Sequence, residues 1–142
     1  MCKIVEIYIL LVLILMAVQD IRKREVSVWY LLLLGIGVVV AAIACPGLGF
    51  ISRIAGALVG VAFLILGRLT GEAIGYGDGI VVLFLGFYQG IRNIFTLTLI
   101  AFMLAGVVAV FLLCRGRKRK RKGNTIPLIP FLTIAYMGVV ML

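Results

Sequence analysis

The sequence predicts an all-α membrane protein: a polytopic bundle of about six transmembrane helices with both termini outside the cytoplasm. Apolar residues make up 65% of the 142 positions, mean hydropathy is +1.30, and only 13% of residues are charged. Globular proteins are on average roughly 45–50% apolar, so a soluble domain of this length could not bury so much apolar surface. The apolar residues also form six runs of nearly membrane length, and most basic residues fall in alternate loops.

The six apolar segments are each 15 to 20 residues long, close to the roughly 20 residues that a helix needs to cross a bilayer. They are Ile4–Val18, Val28–Ala44, Ile54–Leu69, Ile74–Ile91, Ile94–Leu113 and Ile126–Leu142. The first is followed by Asp20 and three basic residues instead of a small-residue cleavage site, so we interpret it as a span and not a signal peptide. Pro46-Gly47 and residues 89–93 mark loops. The prediction is a single transmembrane domain over residues 1–142.

Charge predicts the orientation of this bundle. Eleven Lys and Arg residues lie in the first, third and fifth loops, and three (Lys3, Arg53 and Arg92) lie on the other side. Cytoplasmic loops of membrane proteins carry an excess of basic residues. We therefore expect these three loops in the cytoplasm and both termini outside.

The net charge of +9 does not indicate nucleic-acid binding. Seven basic residues lie between Arg115 and Lys122, directly after an apolar segment and without the aromatic residues that would stack on bases. Such a run is typical of a cytoplasmic loop and suits contact with anionic lipid headgroups. The chain has no His, and its three Cys residues lack the paired spacing of a zinc site. We expect no metal and no cofactor.

Two of the five acidic residues, Asp20 and Asp78, lie beside membrane-length apolar runs. A carboxylate at the centre of a span costs roughly 2.5–3.5 kcal/mol on insertion scales, so each is a candidate functional residue. Two predicted crossings separate them, which places both at the cytoplasmic ends of their helices. A carboxylate pair that shares one proton can activate water and polarise a carbonyl group, as in aspartic proteases. For each residue taken alone, an interfacial charge or a glycine turn stays an open alternative.

Three glycines, Gly75, Gly77 and Gly79, flank Asp78. We expect them to let another backbone approach closely and to permit irregular backbone beside a water-filled cavity. A fourth helix that began after Asp78 would span only about 20 Å at 1.5 Å per residue. We therefore expect this helix to begin at Ile74, which draws Asp78 into the edge of the membrane.

Four further residues are weaker candidates. Glu25 and Glu72 lie in predicted cytoplasmic loops, where they attract a basic peptide or are simply solvated. Pro127 and Pro130 lie at the start of the last span, where they keep its entrance open or serve as ordinary helix-start prolines.

Three local patterns together resemble the type IV prepilin peptidase family, which includes the preflagellin peptidases of archaea. Residues 20–29 hold an aspartate, three basic residues and then Val26-Ser27 at the entrance to the next span. Residues 75–78 read Gly-Tyr-Gly-Asp and precede an apolar run, like the GxGD helix of the family. Residues 126–132 resemble the proline-containing opening of its last core span.

The resemblance implies an intramembrane aspartic endopeptidase in the plasma membrane of a prokaryote. Such enzymes remove a short basic leader from prepilin-like precursors, type IV or Flp pilins or archaellins, at the cytoplasmic membrane face. Asp20 and Asp78 match the two catalytic aspartates of the family. Larger members carry an extra N-terminal cytoplasmic region with paired cysteines, linked to N-methylation, so the resemblance is to the compact, peptidase-only form.

The chain departs from the family pattern at two positions. Ile80 stands where many members have Lys, two residues after the GxGD aspartate, and Ser27 stands where Pro is frequent. Two other functions stay open at this point. One is a small secondary transporter or ion channel that uses Asp20 and Asp78 as cation or proton sites, and the other is a non-catalytic scaffold with a degenerate site.

Overall fold

The computed structural model describes residues 2–23, 25–70, 75–116 and 128–141. All regular structure in these residues is helical, which confirms the predicted all-α class. The helices are α1 (Cys2–Lys23), α2 (Val28–Ala44), α3 (Phe50–Leu69), α4 (Tyr76–Cys114) and α5 (Ile129–Met141).

The ends of α1 differ from the predicted segment. This helix continues beyond Val18 to Lys23, so Asp20 lies at the end of the helix as predicted, whereas Arg22 and Lys23 belong to the helix and not to the predicted loop. Gln, Arg and Lys are good helix formers, and Arg22 and Lys23 in the last turn complement the negative end of the helix dipole. Hydropathy alone therefore ended the segment too early.

Helix α4 reverses direction at Gly90, whose backbone is non-helical with φ 77° and ψ 173°. Before this residue α4 runs antiparallel to α3, and Gly79 packs against Leu64. After it, Phe102 stacks on Phe63 with ring centroids 5.4 Å apart. Phe63 and Leu64 are neighbours on α3, so the second half of α4 must run back alongside the first. The reversal lies inside the boundary predicted at residues 89–93, between the fourth and fifth apolar segments.

Close approach of α3 and α4 depends on glycine. A Cβ atom on Gly56 would collide with the carbonyl oxygen of Gly86, and one on Gly60 would collide with the backbone of Leu83. Gly56 and Gly60 are four residues apart and therefore lie on one face of α3. Small residues at this spacing let membrane helices pack almost backbone to backbone.

Four helices form a ring around the core. Helix α1 packs against α2 and α5, and α4 packs against the same two helices. Among the described residues no contact between helix backbones joins α1 directly to α4, and the backbone of α3 approaches that of α4 alone, although its Arg53 side chain reaches the carbonyl oxygen of Ala42 in α2. The interior of the ring is apolar and fully buried, with core side chains that include Ile9, Leu13, Met16, Leu34, Val81, Leu85, Leu132 and Tyr136. Helices α1 and α4 thus face each other across the ring.

The outer faces of the helices are also apolar, with exposed side chains such as Ile4, Trp29, Ile51 and Phe111. Within the described residues, α1 from Lys3, α3 and α4 are long and apolar enough to cross a membrane, and α2 and α5 are shorter apolar helices. A helix that is apolar all round belongs in a protein core or a bilayer. The number of crossings and the side on which the termini lie stay predictions.

The predicted orientation leads to a labelling experiment. A cysteine introduced at Lys23 should react with a membrane-impermeant thiol reagent only from the cytoplasmic side, and one at Gly49 only from outside. Both positions are exposed, at the end of α1 and between α2 and α3 respectively. The parent protein, with its own three cysteines, sets the background. If Lys23→Cys and Gly49→Cys react from the same side, the predicted topology is wrong.

Candidate active site

Asp20 lies in the last turn of α1 on the side that faces the ring. Its side chain is only 7% exposed, whereas Ile21, Arg22 and Lys23 after it are exposed. Asp20 is four residues after Met16, a core residue, and i, i+4 spacing keeps both on one helix face. Its Oδ2 atom has no hydrogen-bond partner in the described part of the chain. A buried carboxylate oxygen without a partner is unfavourable, which suggests a functional reason for its place.

Asp78 is the third residue of α4 and is 6% exposed. Gly75 caps the helix, and its carbonyl oxygen accepts hydrogen bonds from the amides of Asp78 at 3.1 Å and Gly79 at 3.3 Å. A carboxylate in the first turn also suits the positive end of the helix dipole. The backbone N–H of Leu128, just before α5, donates a hydrogen bond to the Asp78 carboxylate. Asp78 is therefore held by two segments that lie fifty residues apart.

The two aspartates lie at the same end of the ring, Asp20 at the carboxyl end of α1 and Asp78 at the amino end of α4. The charge of Asp20 acts directly on Asp78. Two buried carboxylates within electrostatic range do not both ionise readily, because each negative charge disfavours the other. This arrangement can supply an acid and a base to one reaction. The described residues contain no group of three or more His, Cys, Asp or Glu that could hold a metal ion.

The three predicted site glycines each leave room for a neighbour. A Cβ atom at Gly75 would lie 3.3 Å from Asp78 Oδ2, one at Gly77 would lie 2.7 Å from a Val26 methyl group, and one at Gly79 would lie 2.7 Å from a Leu64 methyl group. Gly77 and Gly79 are inside the helix and only Gly75 precedes it, so the structure differs from the irregular backbone expected here. The neighbours are also mainly side chains. The expected close approach of two backbones occurs instead between Gly56 of α3 and Gly86 of α4.

The weaker candidates have different positions. Glu25 is exposed in the connection between α1 and α2 and has no described contact with either aspartate. Pro130 is the second residue of α5, a position where a missing backbone N–H has no cost, and this fits the helix-start alternative. Glu72 and Pro127 lie outside the described residues, and so does most of the basic run between Arg115 and Lys122.

Sequence reasoning missed three groups near the aspartates. They are the backbone N–H of Leu128, the side chain of Val26 and the amide of Gln19, whose Oε1 is buried without a partner in the described part of the chain. Leu128 follows Pro127, a residue the sequence had singled out, but a backbone donor leaves no signal of its own in a sequence. Gln19 is a polar residue next to Asp20, and that was the available signal.

Comparison with known proteins gives one match. A model of the type IV leader peptidase family matches residues 7–110, well over half of the chain. The matched region contains both aspartates and the three glycines around Asp78, whereas α5 lies beyond it. A search of curated proteins and a search of solved structures each find no match.

Proposed function

The chain belongs to the type IV leader peptidase family, and from this membership we propose that it is an intramembrane aspartic endopeptidase. Its substrates are prepilin-like precursors, whose short basic leader it removes at the cytoplasmic face of the plasma membrane of a prokaryote. The catalytic pair is Asp20 and Asp78. The observation that carries this proposal is the burial of both carboxylates at one end of one helix ring, within electrostatic range of each other.

The chemistry needs one ionised and one protonated carboxyl group. The ionised group takes a proton from water as the water oxygen attacks the scissile carbonyl carbon, and the protonated group gives its proton to the carbonyl oxygen. When the resulting diol collapses, the C–N bond breaks and a carboxyl proton passes to the leaving amine. The Leu128 N–H orients the Asp78 carboxylate for these steps. Residues 1–142 act as one peptidase domain in this proposal.

An apolar groove that reaches Ile80, two residues after Asp78, supports a substrate that lies in the membrane. The groove, of about 550 Å³, runs between α2 and the first half of α4. It begins at Val28 and Ile80, close to Asp78, and extends along α2 to Val40. Ile80 is where many family members carry Lys, and here it adds an apolar wall instead of a cation. We expect a substrate's apolar segment to occupy this groove, with its leader towards the end of the groove at Val28 and Ile80.

The proposal is tested by cleavage of a prepilin-like peptide by the purified protein, with and without EDTA, over a series of pH values. We expect EDTA to leave the rate unchanged, because two carboxylates without other ligands make a poor transition-metal site. The rate should fall at low pH, where both groups are protonated, and fall again at high pH, where both are charged.

Three outcomes would contradict this mechanism. Activity that EDTA abolishes and Zn²⁺ or Mg²⁺ restores would indicate a metallopeptidase. A rate that keeps rising into alkaline pH would indicate a single base. Ion flux through liposomes that contain the protein, without any cleavage, would support the transporter function instead.

A further inference from the structure

A second polar site lies at the end of the bundle away from the aspartates. Here a cavity of about 460 Å³ is formed by α1, the α2–α3 connection, the region around the α4 reversal and the end of α5. Glu6, which lines it, is fourteen residues from Asp20 on α1, a distance of about 21 Å along a helix. The lining residues used below are Glu6, Leu48, Tyr88, Gln89 and Val140.

The cavity has a negative charge without a described partner. Glu6 is half-buried, and no described Lys or Arg lines the cavity with it. Arg53, the buried cation at this end, donates from its two terminal nitrogens to the carbonyl oxygens of Ala42 at 3.1 Å and Cys45 at 2.7 Å, and its Nε has no hydrogen-bond partner in the described part of the chain. A partly buried carboxylate is stabilised by a cation that donates hydrogen bonds to it. Neither terminal nitrogen of Arg53 is left for Glu6, and among the described residues no Lys or Arg lines the cavity.

Two buried polar groups in and beside the cavity also have no hydrogen-bond partner in the described part of the chain. Gln89 lines the cavity, is 7% exposed, and its Oε1 has no hydrogen-bond partner in the described part of the chain. The Tyr136 hydroxyl is fully buried and similarly unpartnered. Glu6 lies within electrostatic range of the phenols of Tyr88 and Tyr136. A buried polar group without a hydrogen-bond partner destabilises the fold, and in most proteins a ligand or a water molecule supplies the missing hydrogen bond.

We propose that this cavity binds the ammonium group of a small organic amine. This amine is either the ethanolamine headgroup of a phospholipid or free ethanolamine. The Glu6 carboxylate and the Gln89 amide oxygen accept hydrogen bonds from the ammonium, and the ring of Tyr88 offers a cation–π contact. The volume is in the range of roughly 300–1,000 Å³ typical of organic ligands and exceeds what a bare ion fills. Leu48 and Val140 supply apolar walls for methylene groups.

The experiment measures binding by the purified full chain in detergent and does not depend on peptidase activity. Native mass spectrometry compares retention of dioleoylphosphatidylethanolamine with that of dioleoylphosphatidylglycerol, and calorimetry measures binding of free ethanolamine. We expect Glu6→Gln to weaken binding of the amine by about 10- to 100-fold, the usual range for loss of a charged hydrogen bond. Glu25→Gln, the same change on an exposed carboxylate at the other end, should leave this affinity unaltered.

The two arms identify the source of the amine. Preference for the ethanolamine lipid that Glu6→Gln removes assigns the cavity to a lipid headgroup, and binding of free ethanolamine alone assigns it to a soluble amine. Absence of both, or equal binding by wild type and Glu6→Gln, overturns the proposal. Should Glu6→Gln fail to accumulate, Gln89→Met, which keeps the side-chain length and removes the acceptor, must weaken binding in the same assays, and unaltered binding overturns the proposal.

Discussion

Replacement of Asp20 or of Asp78 by Asn should each lower the rate of leader cleavage by at least about 10³-fold, as loss of a catalytic group does in other proteases. Asn has nearly the same shape as Asp but can neither hold the shared proton nor take one from water. Both side chains are buried at one end of the ring, so neither can substitute for the other. The measurement is conversion of a prepilin-like substrate by equal amounts of purified variant and wild-type protein.

Glu25 provides the comparison for this experiment. It is an exposed carboxylate five residues after Asp20, and a rim charge of this kind mainly affects the encounter with a charged partner. Glu25→Gln should therefore lower the rate by less than about tenfold.

The Asp20→Asn and Asp78→Asn variants should both accumulate in the membrane like wild type, because the change removes a buried charge and no volume. Near-normal cleavage by either Asn variant would contradict the catalytic pair.

Gly56→Leu should prevent stable accumulation of the protein. The first atom of the new side chain would collide with the carbonyl oxygen of Gly86, a rigid backbone group that cannot move aside as a side chain can. Helices α3 and α4 would have to separate, and forced overpacking of this kind costs at least about 1–3 kcal/mol, more where backbone must shift. The measurement is the amount of protein in the membrane and its thermal unfolding midpoint in detergent.

The matched control for this substitution is Gly138→Leu. Gly138 is an exposed glycine in α5, and a Cβ atom there meets nothing within 4 Å. The same increase in side-chain size should leave accumulation and the unfolding midpoint close to wild type. If Gly56→Leu behaves like Gly138→Leu, the close packing of α3 on α4 does not determine the fold.

The helices themselves were predictable because apolar runs and glycine breaks are local features. The second segment, Val28–Ala44, coincides with α2 at both ends. The chain reversal was also expected near residues 89–93, and its residue, Gly90, is the one there that readily adopts a positive φ. Errors arose where helix propensity continued beyond hydropathy, as from Val18 to Lys23, because a hydropathy pattern cannot distinguish a polar helix end from a loop.

The arrangement of the helices could not be predicted in this way. Crossing counts predicted that Asp20 and Asp78 lie at one end, and they do lie at one end of the ring. No local sequence pattern indicates that α2 and α5 lie between α1, which carries Asp20, and α4, which carries Asp78. Nor does any pattern indicate that the backbone N–H of Leu128 donates a hydrogen bond to Asp78. Such contacts depend on which faces of distant helices meet. Their only trace in the sequence is the spacing of small residues, as at Gly56 and Gly60.

The hydrogen bond from Leu128 to Asp78 also has a consequence for the order of synthesis. The donor lies fifty residues after the carboxylate along the chain. At translation rates of about 5–20 residues per second, Asp78 leaves the ribosome several seconds before Leu128 does. During this interval the nascent chain has both aspartates, but neither the donor nor the helix that completes the ring. Asp78 therefore has no hydrogen bond from Leu128 until the segment just before α5 has been synthesised.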